Sequence, residues 1–236
     1  MNIQGIVCFS KYFTINAEML SKQMNIPVVY NLEPNFAYIV FSAQDACESL
    51  LDFQEKNNVK YLIFQSENIE SPFFKNPNYI RLLKENKVVQ YSRYTTEKCK
   101  ELGIESHGFF NWLYPAQHIK GKRTIDLLFF GAMNQKRYDI LHAIQNKFPK
   151  KNIVATCDAF GKDLDELLRK TKTVINISYY DNAVLETHRI NQCISYGCNV
   201  ISNRSVDKDL NEEYAKLVTF CGNTIGDYLS AVSKII

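Results

Sequence analysis

The stretch Ile125-Asp126-Leu127-Leu128-Phe129-Phe130-Gly131-Ala132-Met133-Asn134-Gln135-Lys136-Arg137 decides the fold. Its apolar opening reads as a buried strand, its glycine permits a tight turn, and the residues that follow show helical periodicity over 137–148. Downstream the alternation continues, with strands at 153–156, 174–178, 199–202 and 217–220. Helices at 164–171, 183–195, 210–216 and 225–236 lie between and after them. Strands that alternate with helices imply a parallel sheet covered on both faces.

Upstream of Ile125 the rhythm is the same. Apolar runs at 3–9, 28–30, 38–41 and 59–64 are separated by amphipathic segments at 16–24 and 44–56. A helix at 78–86, a strand at 88–91 and a helix at 95–102 follow. After 105–112 the chain turns polar and loop-like through Tyr114-Pro115-Ala116-Gln117-His118-Ile119-Lys120-Gly121-Lys122-Arg123. The expectation is an α/β protein of two small Rossmann-like domains facing each other across a cleft, with residues 1–115 in the first and 116–236 in the second.

Composition narrows the function classes. Of 236 residues, 46% are hydrophobic and 22% charged, which excludes disorder as a description of the whole. The 28 Lys+Arg against 25 Asp+Glu leave +3, too little for the basic field of a dedicated nucleic-acid binder. The seven cysteines are odd in number and never spaced C-x-x-C, which argues against a disulfide framework or a zinc site and for a reducing compartment. The N-terminus lacks a basic region followed by an apolar stretch, and no run of about 18 apolar residues occurs, so a cytoplasmic protein without a membrane span is expected.

In open α/β sheets, ligands bind beyond the carboxyl ends of the strands, where loops and helix N-termini converge. In the second domain that rule selects Gly131 to Arg137, Cys157-Asp158, Phe160-Gly161, Tyr179-Tyr180-Asp181-Asn182 and Asn203-Arg204-Ser205. Gly131 permits close backbone approach, and Lys136 and Arg137 suit a diphosphate; a glycine turn with two solvated cations is the bland alternative. The most informative stretch runs from Asn182 to Ser202. There Glu186 is expected in the first turn of a helix aimed at the crevice, placed to accept hydrogen bonds from a ribose diol, with Arg189 three residues on.

At Leu185-Glu186, Ser195-Tyr196-Gly197 and Val200-Ile201-Ser202 the chain resembles the donor-binding half of two-Rossmann-domain (GT-B) glycosyltransferases. The resemblance spans roughly 124–236 and is nearest the compact enzymes of large DNA viruses of algae and protists and of some bacteria. It implies a nucleotide-diphosphate-sugar donor, UDP-sugar favoured, a glycan acceptor, and neither cofactor nor metal. The donor residues it implies are Gly131, Asn134, Lys136, Arg137, Tyr180, Asn182, Glu186 and Arg189. Many retaining members carry a glutamate five residues before the glycine and another eight residues earlier; Gln192 and Val184 stand there, which favours inversion.

Such a transfer needs a group to take the acceptor proton. The first domain offers Glu67, after the apolar run Tyr61-Leu62-Ile63-Phe64, and Asp45, which alternatively caps the helix after it. Gln65 and Asn68 stand beside Glu67 for acceptor hydroxyls. His188 falls on another helix face from Glu186 and is read as packing; His107 and His118 lie near the domain boundary without an identified partner. Asp163-Leu164-Asp165 has a metal-nucleotide form but opens a helix, where acids favour the dipole. Phe73, Phe74, Tyr79, Tyr91 and Tyr94 are as well explained by a core as by a sugar platform. A non-catalytic nucleotide- or glycan-binding module with the same shell is the competing reading.

Overall fold

The computed structural model describes residues 3–112 and 114–236. The chain divides into two compact units, Met1–Phe110 and Asn111–Ile236, a boundary slightly ahead of the expected 115/116.

The first unit holds β1 (Ile3–Cys8), α1 (Thr14–Met24), β2 (Ala37–Phe41), α2 (Cys47–Asn57), β3 (Lys60–Phe64), α3 (Pro77–Glu85), β4 (Lys87–Gln90), α4 (Arg93–Glu101) and β5 (Ser106–Phe109). Its parallel sheet runs β1-β2-β3-β4-β5. The run at 28–30 does not form the expected strand: it touches β1 through a single bridge, Ile6 to Val28. Two backbone hydrogen bonds hold it, Ile6 N–H to Pro27 O at 2.9 Å and Val29 N–H to Ile6 O at 2.8 Å. That bridge lies on the far side of β1 from β2, so the direction of strand addition reverses between β1 and β2. Every residue of β2 is buried, as expected of a strand covered on both faces. The core gathers Val40, Leu50, Tyr61, Ile63, Leu82 and Val88. Phe74 and Tyr79 belong to it, their rings 5.5 Å apart edge to face, and Phe73 packs against it, so these three of the aromatic cluster serve packing.

The second unit holds β6 (Ile125–Phe130), α5 (Gln135–Lys147), β7 (Ile153–Thr156), α6 (Gly161–Lys170), β8 (Thr171–Asn176), α7 (Thr187–Ser195), β9 (Asn199–Asn203), α8 (Lys208–Glu213), β10 (Thr219–Cys221) and α9 (Ile225–Ser233). The sheet order is β10-β9-β8-β6-β7, all parallel. Helix α5 packs against α9, the last helix of the unit. Phe129, Ile140, Ile144, Ile175, Ile201, Tyr228 and Val232 form its core.

Helix α7 is shorter than the expected 183–195: Glu186 is its N-cap, and Ala183, Val184 and Leu185 are buried in the loop ahead of it. All seven cysteines are free thiols, with Cys47, Cys99, Cys193 and Cys198 buried. Burial pushes the Cys99 thiol up to about 11 and the Cys193 thiol further. Among the described residues no helix is long and apolar enough to cross a membrane.

Candidate functional site

In the second unit the order reverses at the β6/β8 junction, and the ends of these two strands are the usual ligand position in such sheets. Asn134 ties the two loops together. Its side-chain oxygen caps α5 by accepting from Arg137 N–H at 2.9 Å, and its amide donates to Tyr179 O at 3.0 Å. Lys136, next in the first turn, donates to Ser178 Oγ at 3.2 Å and pairs with Asp181 at 3.2 Å.

Arg137, read from the sequence as a cation facing a diphosphate or else solvent, is buried, 2% exposed. Its Nε donates to Ile177 O at 2.8 Å and its Nη1 to Ala132 O at 2.7 Å. Its guanidinium lies 5.3 Å from the Phe129 ring centroid and 5.2 Å from that of Tyr179. Nη2 has no hydrogen-bond partner and lies 3.5 Å from Glu186 Oε1. Arg189 pairs with Glu186 Oε2 at 2.7 Å, donates to Asn176 Oδ1 at 3.1 Å and stacks over Phe130 at 5.2 Å. The Cα of Gly131, at φ +132°, passes so close to Arg189 that a Cβ there would meet Nη2 at 2.8 Å.

Two guanidiniums thus share one carboxylate, which leaves the trio one positive charge in excess. Burial raises the Glu186 carboxyl, but Arg189 and Arg137 outweigh it and hold the group below its usual value. Burial lowers Arg137 without neutralising it. Burial and the charge of Arg189 push His188 down to about 4, so its imidazole is neutral at pH 7. Tyr180 and Asn182 lie in the loop after β8, Asn182 exposed and Tyr180 half-buried with its ring 5.0 Å from that of Tyr179.

In the first unit, Glu67 and Asp45 come from the loops after β3 and β2, and Gln44 links them. Gln44 Nε2 donates to Glu67 Oε1 at 3.1 Å. Gln65, expected beside the acceptor, is fully buried and donates to the Glu67 carbonyl at 3.0 Å, so it holds the Glu67 backbone. Asn68 accepts from Glu70 N–H at 3.0 Å in a local turn. Asp45 lies in a 3-10 turn, Ala43–Ala46; the N-cap of α2 is Ala46 and no side chain caps that helix, so capping does not account for the acid. Partial desolvation raises its carboxyl although the residue is exposed. Ser42, just before that turn, sits at φ 57° with its hydroxyl buried and unpartnered.

Three sequence candidates have structural roles. His107 Nδ1 accepts from Val88 N–H at 3.4 Å, the His118 carbonyl accepts from Arg169 at 3.4 Å, and Asp163 sits in the first turn of α6. Among the described residues no group of three His, Cys, Asp or Glu is placed to hold a metal ion. Sequence reasoning missed the polar chain behind the site: Asn176 Nδ2 donates to Ser202 Oγ at 3.0 Å, and Asn203 Oδ1 accepts from Ser178 N–H at 3.0 Å and Tyr228 OH at 2.8 Å. The signal was there, in polar residues that end otherwise apolar strands.

No protein-family model matches the chain, and no curated protein matches it in sequence. In structure it is similar to α,α-trehalose-6-phosphate synthase from Burkholderia multivorans, with TM-score 0.58 and 8% identity over 95% of this chain and 68% of that one. It is also similar to the E. coli trehalose-6-phosphate protein bound with UDP-2-fluoro glucose, with TM-score 0.52 and 9% identity over 95% of this chain and 69% of that one. Both neighbours are GT-B glycosyltransferases, and the fold of this chain is GT-B-like.

Proposed function

We propose that the protein is a glycosyltransferase that moves a sugar from a nucleotide-diphosphate donor, a UDP-sugar, to a sugar hydroxyl of a glycan, with inversion and without a metal. The observation that carries this is the cluster at the β6/β8 switch point, where Arg137 and Arg189 share Glu186 and Lys136 reaches Ser178 and Asp181. A diphosphate leaving group gains charge as its bond to the sugar breaks, and fixed cations in a partly dry crevice stabilise it without reorganising. The buried Arg137 backs the carboxylate of Glu186, which keeps 24% exposure and stands at a helix start where a ribose hydroxyl can donate to it. Gly131, Asn134, Tyr180 and Asn182 shape the same crevice. The UDP-sugar bound to the E. coli neighbour favours that donor.

In the first unit Glu67 is the proposed base and Asp45 the second candidate. As the acceptor oxygen bonds to the anomeric carbon, its proton passes to the carboxylate and the electron pair of the broken carbon–oxygen bond leaves on the diphosphate. The test is incubation with a panel of nucleotide sugars, with and without glycan acceptors, and assay of free nucleotide diphosphate. Release that falls in Lys136→Ala supports transfer. Saturable binding without release under any acceptor overturns it in favour of a silent binding module, and a product that keeps the donor's anomeric configuration overturns inversion.

A further inference from the structure

Of the three cations clustered at the β6/β8 switch point, Lys136 is the one within reach of a ligand. Arg137 and Arg189 are buried, and their guanidiniums are held by Glu186, by the carbonyls of Ile177 and Ala132 and by Asn176. The side chain of Lys136 keeps 22% exposure, and its ammonium has two partners of opposite kinds. Ser178 is neutral and fixed: it is buried just beyond β8, its N–H donates to Asn203 Oδ1 at 3.0 Å, and its Oγ accepts from Lys136 at 3.2 Å. Asp181 is charged and open to water: its Oδ1 lies 3.2 Å from the ammonium, and its side chain is 85% exposed in the loop between β8 and α7. An ion pair so exposed contributes little, whereas a phosphate oxygen on an ammonium makes a strong charge-assisted bond. A diphosphate that takes this ammonium also brings negative charge within a few ångströms of the carboxylate, and like charges at that distance repel.

We infer that Asp181 is an exchangeable counter-ion of the donor site: without a ligand it neutralises Lys136, and a donor diphosphate displaces it while Ser178 keeps its place on the ammonium. The inference rests on the donor reading proposed above and adds a selectivity rule to it. Only a ligand that carries an oxyanion can take over the ammonium from Asp181, so a nucleoside without phosphate gains nothing from the exchange.

The experiment is calorimetric titration of the full chain with UDP and, separately, with uridine, for wild type, Asp181→Asn, Lys136→Met and the double variant. Asp181→Asn should bind UDP about twofold to fivefold tighter, the scale of one exposed ion pair, with no gain for uridine. Lys136→Met should weaken UDP, and adding Asp181→Asn to it should bring no gain. A gain of equal size in that background overturns the inference, since the carboxylate would then act on the ligand through space alone. An equal gain for uridine overturns it as well, because the effect would not be an exchange with phosphate. Unchanged or weaker UDP binding in Asp181→Asn also overturns it, and leaves the donor reading standing where Lys136→Met still weakens UDP. UDP that fails to bind the wild type, or that binds Lys136→Met equally well, overturns the donor reading and this inference together.

Discussion

Gly131 and Arg189 occupy one small space: the bare Cα of the first allows the guanidinium of the second to lie where a Cβ would come within 2.8 Å of Nη2. Because φ at residue 131 is +132°, an added methyl meets backbone strain as well as the arginine. Gly131→Ala should therefore cost about 1–3 kcal/mol, read as a fall in melting temperature, and should displace Arg189 from Glu186.

Removing the shared carboxylate leaves two guanidiniums facing each other. Glu186→Gln should destabilise the second unit by about 2 kcal/mol, below the roughly 3–5 kcal/mol of a fully buried pair because its side chain keeps 24% exposure. Asp181→Asn, at a carboxylate 85% exposed, should cost under about 1 kcal/mol. Denaturant melts of the two variants make the comparison, and equal losses would mean the trio does not act as a buried network.

His188 gives a pH signature. Its imidazole is held at about 4 in the folded chain against 6.5 for the free group. As pH falls below 6.5 the unfolded chain takes up a proton that the folded chain refuses, so this contribution is complete above that value and is lost progressively down to about 4. His188→Asn should flatten the stability curve in that window. The carboxyl of Glu186 is also held below its ordinary 4.5, since Arg189 and Arg137 outweigh its burial.

Glu67→Gln keeps an oxygen for the Gln44 amide to donate to, so the fold should stand. Turnover should fall about 10²-fold or more, the scale of a lost general base, with donor affinity unchanged. Near-normal turnover would pass the role to Asp45.

The strand–helix alternation was legible because buried parallel strands are apolar runs, and β2 and β6 are such runs, whereas β8 opens on Thr171-Lys172-Thr173 and so begins ahead of the expected 174. β5 was not, since Ser106-His107-Gly108-Phe109 has no apolar run and pairs only with β4. The run at 28–30 looked like a strand, but strand character needs a partner, and β1 pairs with it at one residue. Ala183-Val184-Leu185 extended the apolar pattern of α7 because it is buried, but in the loop ahead of the helix. At the site, residue positions were readable from the strand ends but the burial of Arg137 was not. An arginine in a first turn usually faces solvent, and only the aromatic faces of Phe129 and Tyr179 and two spare carbonyls turn it inward.

The buried thiols make the protein its own unfolding gauge. Cys99 lies in the first unit and Cys193 in the second, each with no exposed surface and each held in the unreactive protonated form by burial. An alkylating reagent reaches either sulfur only when the surrounding structure opens, so the two labelling rates time the opening of the two halves separately. Matching rates across a denaturant series would mean the halves open together; diverging rates would order them, with no dye, tag or added residue in the chain.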